Sequence, residues 1–253
     1  MEYAREFDLI VGSHCETPEL SEDGCMHEGA RSYALGLPAM PGISEEICLY
    51  RDARLAQYTN CRLHIQQVST AQAVEAVRHF KGQGVPITCE VSPHHLLFCQ
   101  EDIEDYDTNL KVNPPLRPAD DREALLEGLR DGTIDCIATD HSPRTNFEKD
   151  LPFGEAPFGM IGLETAVLSL YDRLIEGGEL DWATLVRAFA LRPRDILGEP
   201  GSAIVEGGAA DFFVFDPDGT TSIAAAGLRS RSRNTPFLGE ELKGAFSNPK
   251  VLC

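Results

Sequence analysis

The chain is short of positive charge. Against 41 Asp and Glu it carries only 22 Lys and Arg, a formal net charge of −19 at pH 7, so it offers no broad phosphate-binding face and nucleic acid is not an expected partner. Long apolar runs are missing too. None approaches the roughly 18 residues of a membrane span, and Met1-Glu2-Tyr3-Ala4-Arg5-Glu6 lacks the cationic-then-apolar order of a signal peptide. A cytoplasmic protein without a membrane partner is the expectation. The eight cysteines, at 15, 25, 48, 61, 89, 99, 136 and 253, include no Cys-x-x-Cys pair, which argues against a structural zinc-thiolate site and a disulfide framework. Cys89 and Cys136 sit in apolar runs and read as small reduced core residues. Internal repeats and low-complexity segments are absent as well. The seven histidines, at 14, 27, 64, 79, 94, 95 and 141, contain no His-x-His pair.

What remains is an ordinary globular composition, 42% hydrophobic and 25% charged over 253 residues, enough for one large domain or two small ones. Four short apolar runs read as buried strands: Leu9-Ile10-Val11, Leu63-His64-Ile65, Val85-Pro86-Ile87-Thr88-Cys89-Glu90-Val91 and Ile134-Asp135-Cys136-Ile137-Ala138. Helical patterns separate them, over 44–58, 71–82 and 119–130, the last opening after Pro118 and closing at Gly132. Strands alternating with helices predict a parallel α/β architecture. Each run ends in polar or ionisable residues: Ser13-His14, Gln66-Gln67, Ser92-Pro93-His94-His95 and Thr139-Asp140-His141. The carboxyl ends of parallel strands are where such folds bind ligands, so these residues are site candidates by geometry.

A full eight-stranded barrel takes about 250 residues, whereas only about four βα units fit here before the texture changes. The expected fold is therefore the second half of a TIM-type (β/α) barrel over 1–200. A small β-rich segment would follow over 201–253, opening with Gly207-Gly208-Ala209-Ala210 and a strand at 211–217. Its arginines at 229, 231 and 233 read as a solvated or interface surface.

The wording around the strand ends is far more specific than their periodicity. Gly12-Ser13-His14-Cys15-Glu16, Leu63-His64-Ile65-Gln66-Gln67-Val68-Ser69-Thr70, Asn109-Leu110-Lys111-Val112-Asn113-Pro114-Pro115-Leu116-Arg117 and Ile137-Ala138-Thr139-Asp140-His141-Ser142-Pro143 resemble dihydroorotases of the amidohydrolase superfamily. The likeness continues through Glu155-Ala156-Pro157-Phe158-Gly159, Gly162-Leu163-Glu164-Thr165-Ala166 and Arg233-Asn234-Thr235-Pro236-Phe237-Leu238-Gly239. The resemblance implies a zinc-dependent hydrolase interconverting dihydroorotate and N-carbamoyl-aspartate in pyrimidine biosynthesis, with the four runs as the fifth to eighth strands of its barrel. On that resemblance Asp140 is the catalytic carboxylate and a metal ligand, and His14 is a metal-ligating histidine. Asn113, Arg144, Phe158 and Gly159 contact substrate.

Three departures bear on activity. The His-x-His pair of the family's first strand, and its bridging carboxylate or modified lysine, have no counterpart. The sixth-strand ligand, a histidine before Val-Ser-Thr in the family, is Gln67, and an amide oxygen is a poor zinc ligand beside imidazole. His64, an odd offset away, is expected on the opposite face. The family's second histidine after Thr-Asp-His-x-Pro is Arg144, which cannot titrate. With His14 and Asp140 as its surviving ligands, the chain alone is expected to hold zinc poorly and to be weakly active or inactive. The alternatives are a noncatalytic scaffold subunit binding aspartate transcarbamoylase, or a truncated gene product; a homo-oligomer is a further possible assembly. Hydantoinase or allantoinase chemistry fits the Asn109–Arg117 wording less well. His94-His95, adjacent residues expected in an extended segment and so pointing opposite ways, reads as structural, and His27 and His79 as surface residues.

Overall fold

β-branched residues and cysteines that fit a pleated surface buried on one side place the main strands. The computed structural model of the chain describes residues 1–199, 205–207 and 212–247. Its strands are β1 (Ile10–His14), β2 (Met26–His27), β3 (Ala39–Met40), β4 (Arg62–Gln66), β5 (Ile87–Val91), β6 (Cys136–Ile137), β7 (Val214–Ser222) and β8 (Glu241–Ser247). β1, β4, β5 and β6 form one four-stranded sheet in that order, every pair parallel. The helices Ile43–Thr59, Ala71–Gly82 and Ala119–Asp131 make the crossovers. Their ends follow from local chemistry. Thr70 caps the second by accepting from the Ala73 amide, while Asn60 and Gly132 close the first and third in the left-handed region.

The two faces of this sheet differ. Leu63 and Ile65 of β4 and Ile87, Cys89 and Val91 of β5 are buried in the main core with Leu49, Val77, Leu126 and Leu129 of the crossover helices. The alternate residues, Gly12, His64, Gln66, Thr88 and Glu90, are half-buried or exposed and mostly polar. Pairing in register brings Gly12 beside His64, His64 beside Thr88, and Glu90 beside Cys136 on this open face. A two-residue side-chain period thus sends hydrocarbon to the helices and polar groups the other way.

The first strand begins one residue later than expected and runs on to His14, so the candidate histidine belongs to the sheet itself. The fourth is only Cys136–Ile137. The parallel pair β2–β3 and the short helices Pro18–Ser21 and Ala30–Leu35 fill a segment for which no element was expected. The C-terminal helices run over Ala166–Ile175 and Trp182–Leu197 with π-helical turns at Tyr171–Ile175 and Arg187–Leu191. The second widened turn precedes Pro193, which has no N–H to donate back into the ladder. β7 and β8 pair antiparallel and pack through Leu242 against Leu168, Ile223 and Phe237. The expected boundary at 200/201 and residues 208–211 of the expected linker and strand lie outside the described residues. The seven described cysteines are free thiols, and no helix of the described residues is long and apolar enough to cross a membrane.

Candidate active site

Three of the candidate residues stand where strands stop. His14 closes β1, Gln67 follows β4, and Asp140 follows β6 by three residues. Gln67 (φ 48°) and Asp140 (φ 46°) both adopt the left-handed backbone region, uncommon for residues with a Cβ and concentrated at functional positions. This turn takes Gln67 out of the strict strand alternation. The His14 ring donates from Nδ1 to Gln67 Oε1 at 2.8 Å, and Gln67 Nε2 donates to Asp140 Oδ1 at 3.0 Å. One amide therefore joins histidine and carboxylate. On the far side of His14, Nε2 lies 3.8 Å from Glu16 Oε2, which accepts from Asn113 Nδ2 at 3.0 Å. Asn113 is thus brought to the same mouth through Glu16.

Arg144, Phe158 and Gly159 form an adjoining cluster. Arg144 Nε donates to the Phe158 carbonyl at 2.9 Å, and the Gly159 amide donates to the Lys111 carbonyl at 2.9 Å. Asn234 Nδ2 reaches the carbonyls of Ser142 (3.0 Å) and Gly159 (3.1 Å), while its Oδ1 accepts from the Arg144 amide at 3.1 Å. Gly159 has φ 116°, and a Cβ there would stand 2.5 Å from the Ser142 Cβ, so only glycine lets this segment approach residue 142. Ser142 links the clusters through its hydroxyl, 3.5 Å from Asp140 Oδ1. The Phe158 ring lies under Lys111, Nζ 4.9 Å from its centroid.

A buried ion pair holds the mouth loops together. Arg117 donates from Nη2 to Glu45 Oε2 (3.3 Å), from Nε to Ser69 Oγ (2.9 Å) and from Nη1 to His27 Nδ1 (3.0 Å). Glu45 also accepts from the Ser69 amide at 2.8 Å and from the Ser69 hydroxyl. The helix Ile43–Thr59, the loop after β4 and the segment carrying Asn113 are so tied to one another. His27 is therefore not a surface residue: burial first, and Arg117 second, hold it neutral, its pKa lowered to about 4. His79 is exposed on its helix, as expected.

Two mouth residues carry no assigned role on the sequence reading. Glu16, two residues after His14, organises Asn113. His94 is buried, its Nε2 without a hydrogen-bond partner and 3.6 Å from Asp140 Oδ2. His94 and His95 lie on the helix Pro93–Leu97 rather than on extended chain, Ser92 capping it and Pro93 at its first position. His95 faces away, to Ser92 Oγ and the Pro114 carbonyl. Burial pushes the Asp140 carboxyl up to about 6, against the pull of His14 and the Ser142 hydroxyl.

The mouth does not present a metal set. Among the described residues, the triplets of His, Cys, Asp or Glu donors lying within 4.8 Å of one another are Cys15, Cys48 and Asp52, and His64, Glu90 and Cys136. Neither includes His14 or Asp140. Between those two stands the Gln67 amide, its oxygen taken by His14 and its nitrogen facing the carboxylate.

No family model matches the chain. It is similar to the dihydroorotase of Pelotomaculum thermopropionicum, 46% identical over 244 residues covering 96% of this chain and 57% of that protein. The dihydroorotase of Geobacter metallireducens is 45% identical over 245 residues, 97% of this chain and 58% of that protein. The chain thus spans just over half the length of the curated relatives it matches. Among solved structures, a D-hydantoinase (dihydropyrimidinase) from Thermus sp. aligns with a TM-score of 0.82 at 26% identity, covering 97% of this chain and 56% of that one. An L-hydantoinase (dihydropyrimidinase) from Arthrobacter aurescens aligns at 0.83 and 25%, covering 96% and 56%.

Proposed function

For a chain that is a dihydroorotase-family sequence over almost its whole length, we propose that it supplies the second half of a cyclic-amide hydrolase barrel. β1, β4, β5 and β6 would be four of its strands and their open face its interior. The substrate class is dihydroorotate or N-carbamoyl-aspartate. The observation that carries this reading is the hydrogen-bonded line His14–Gln67–Asp140 across three strand ends, two of its members held in left-handed backbone.

Opening a cyclic amide requires a proton to leave the attacking water as its oxygen bonds to the carbonyl carbon. A proton must reach the ring nitrogen as the C–N bond breaks. A carboxyl raised to about 6 can do both in turn, and Asp140 is that group. Gln67 holds Oδ1, leaving Oδ2 toward His94 and the mouth. Asn113 and Arg144 are the polar groups for the substrate's carbonyl and carboxylate oxygens, with the Phe158–Gly159 segment as a wall beside them. Dihydroorotases of this type use zinc to activate the water; the residues present at this mouth do not fit it, and no step is assigned to a metal here.

The test compares turnover and metal content of the chain with those of the intact P. thermopropionicum enzyme. We expect turnover far below the relative's and no metal that Asp140→Asn removes. Gln67→His should raise the Asp140-dependent zinc, since imidazole is the better ligand, while Asn113→Ala should weaken N-carbamoyl-aspartate binding and leave metal unchanged. A chain that already holds Asp140-dependent zinc and turns over like the relative, or an Asn113→Ala variant that binds as before, would overturn the assignment.

A further inference from the structure

The open face of the sheet carries a second cluster, deeper than the mouth. His64 on β4, Glu90 on β5 and Cys136 on β6 come from three neighbouring strands, and one imidazole nitrogen, one carboxylate oxygen and Sγ all lie within 4.8 Å of one another. The register explains the convergence. Glu90 pairs with Cys136, and His64 pairs with Thr88, two residues before Glu90 on the same face. The cluster is largely enclosed, with Cys136 buried and the side chains of His64 and Glu90 12% and 14% exposed.

Its hydrogen bonding leaves room for a cation. His64 Nδ1 is 2.8 Å from Thr88 Oγ1, which lies 3.5 Å from the Leu63 carbonyl. The ring has two tautomers: with its proton on Nε2 it donates to Glu90 and accepts the Thr88 hydroxyl hydrogen at Nδ1, and with its proton on Nδ1 it donates to Thr88 Oγ1 and frees Nε2 for a metal. The second tautomer turns the lone pair of Nε2 toward Glu90 Oε2, 3.1 Å away. A cation that displaced the Nε2 proton would sit between two lone pairs 3.1 Å apart. Lys81 and Arg192 do not supply it, since they bind Asp135 at 2.6 and 2.9 Å. The separation of 3.1 Å is also close to the roughly 3.3 Å that nitrogen and oxygen ligands subtend at a tetrahedral zinc. A metal-binding imidazole needs its second N–H held by an acceptor, and Thr88 Oγ1, 2.8 Å from Nδ1, can be that acceptor.

The structure assigns to His64, Glu90 and Cys136 a cation site, for a zinc-class ion held by one nitrogen, one oxygen and one sulfur. A mixed imidazole, carboxylate and thiolate set suits zinc rather than magnesium or calcium. Binding breaks the Cys136 S–H bond, the sulfur joining the metal and the proton leaving to solvent. Because one proton is released for each ion bound, occupancy falls as pH is lowered. The other triplet, Cys15, Cys48 and Asp52, is a poorer host. Asp52 is already bound by Ser13 (2.6 Å) and Arg51 (2.8 Å), and the Arg51 guanidinium stands 3.1 Å from Cys48 Sγ.

The test titrates the chelator-treated full chain with Co2+, whose thiolate charge-transfer absorption reports a sulfur ligand, and measures X-ray absorption at zinc in the unaltered chain. We expect one Co2+ bound with that band, and a zinc shell containing a single sulfur. Cys136→Ser should abolish the band, and Asp140→Asn should retain it. Thr88→Val should weaken Co2+ binding about ten-fold or more, and Thr88→Ser should restore it. A zinc shell without sulfur would overturn the site, as would two sulfurs, which would place the ion at Cys15 and Cys48. So would a band that survives Cys136→Ser. The zinc measurement needs no variant, so a misfolded mutant leaves it decisive, and none of these outcomes depends on how the mouth performs.

Discussion

Ile65 and Gln66 are neighbours on one strand and belong to different worlds. Ile65 is fully buried against the crossover helices, whereas Gln66 is exposed on the open face beside Gly12. The same contrast repeats on β5, where Ile87, Cys89 and Val91 are in the core while Thr88 and Glu90 are not. The helix-packed side holds the sheet together by burying hydrocarbon. The other side is free of that duty and carries the hydrogen-bonding and titratable groups. Stability and chemistry are thus separated by one residue of register, and a slip of one would exchange them.

Three measurements probe that separation. Ile65→Ala should cost about 2–5 kcal/mol in urea unfolding, because the helices cannot collapse fully into the space left. A loss below about 1 kcal/mol would mean that this face is not a close-packed core. Asp140→Asn should act next most strongly, and in a pH-dependent way. The folded pKa of Asp140 is raised to about 6, above the roughly 3.9 of an unfolded aspartate. The protonated form is thus the one that folding favours: its advantage is complete below about pH 4 and lost as pH rises through 6. Of the groups around it, His14 opposes the shift and Glu90 adds to it. His94 stays neutral because burial lowers its pKa. The asparagine variant should therefore match the parent at low pH and exceed it by up to about 3 kcal/mol at pH 8. Equal stability across the range would show that Asp140 is well solvated. The smallest effect is expected at Gln66→Ala, within about 0.5 kcal/mol; a cost like that of Ile65→Ala would mean that the open face is packed after all.

Much of this contrast was legible in the residues. Leu63-His64-Ile65-Gln66 alternates as a half-covered strand must, and Thr70 and Gly132 mark helix ends by their cap chemistry. β2 and β3 escaped because two residues are too few to show a period. The candidate site was legible where the family wording is long, at His14, Gln67, Asn113 and Asp140. Glu16 lay inside one of those motifs, but its tie to Asn113 spans 97 positions. His94 was hidden by reading Ser92-Pro93-His94-His95 as extended chain, although serine before proline is also a helix start. His27 gave no local sign at all, since the guanidinium that lies against it comes from 90 positions away.

The left-handed turns at Gln67 and Asp140 have a consequence for anyone wishing to silence the mouth. At such a position the side chain is aimed by the backbone, and the backbone conformation is one that glycine adopts more readily than glutamine or aspartate. Deleting the side chain outright, with glycine at 67 or 140, relieves torsional strain while removing the functional group. Most knockouts confound a lost reaction with a damaged scaffold. At these two points the molecule offers erasures that leave the page intact.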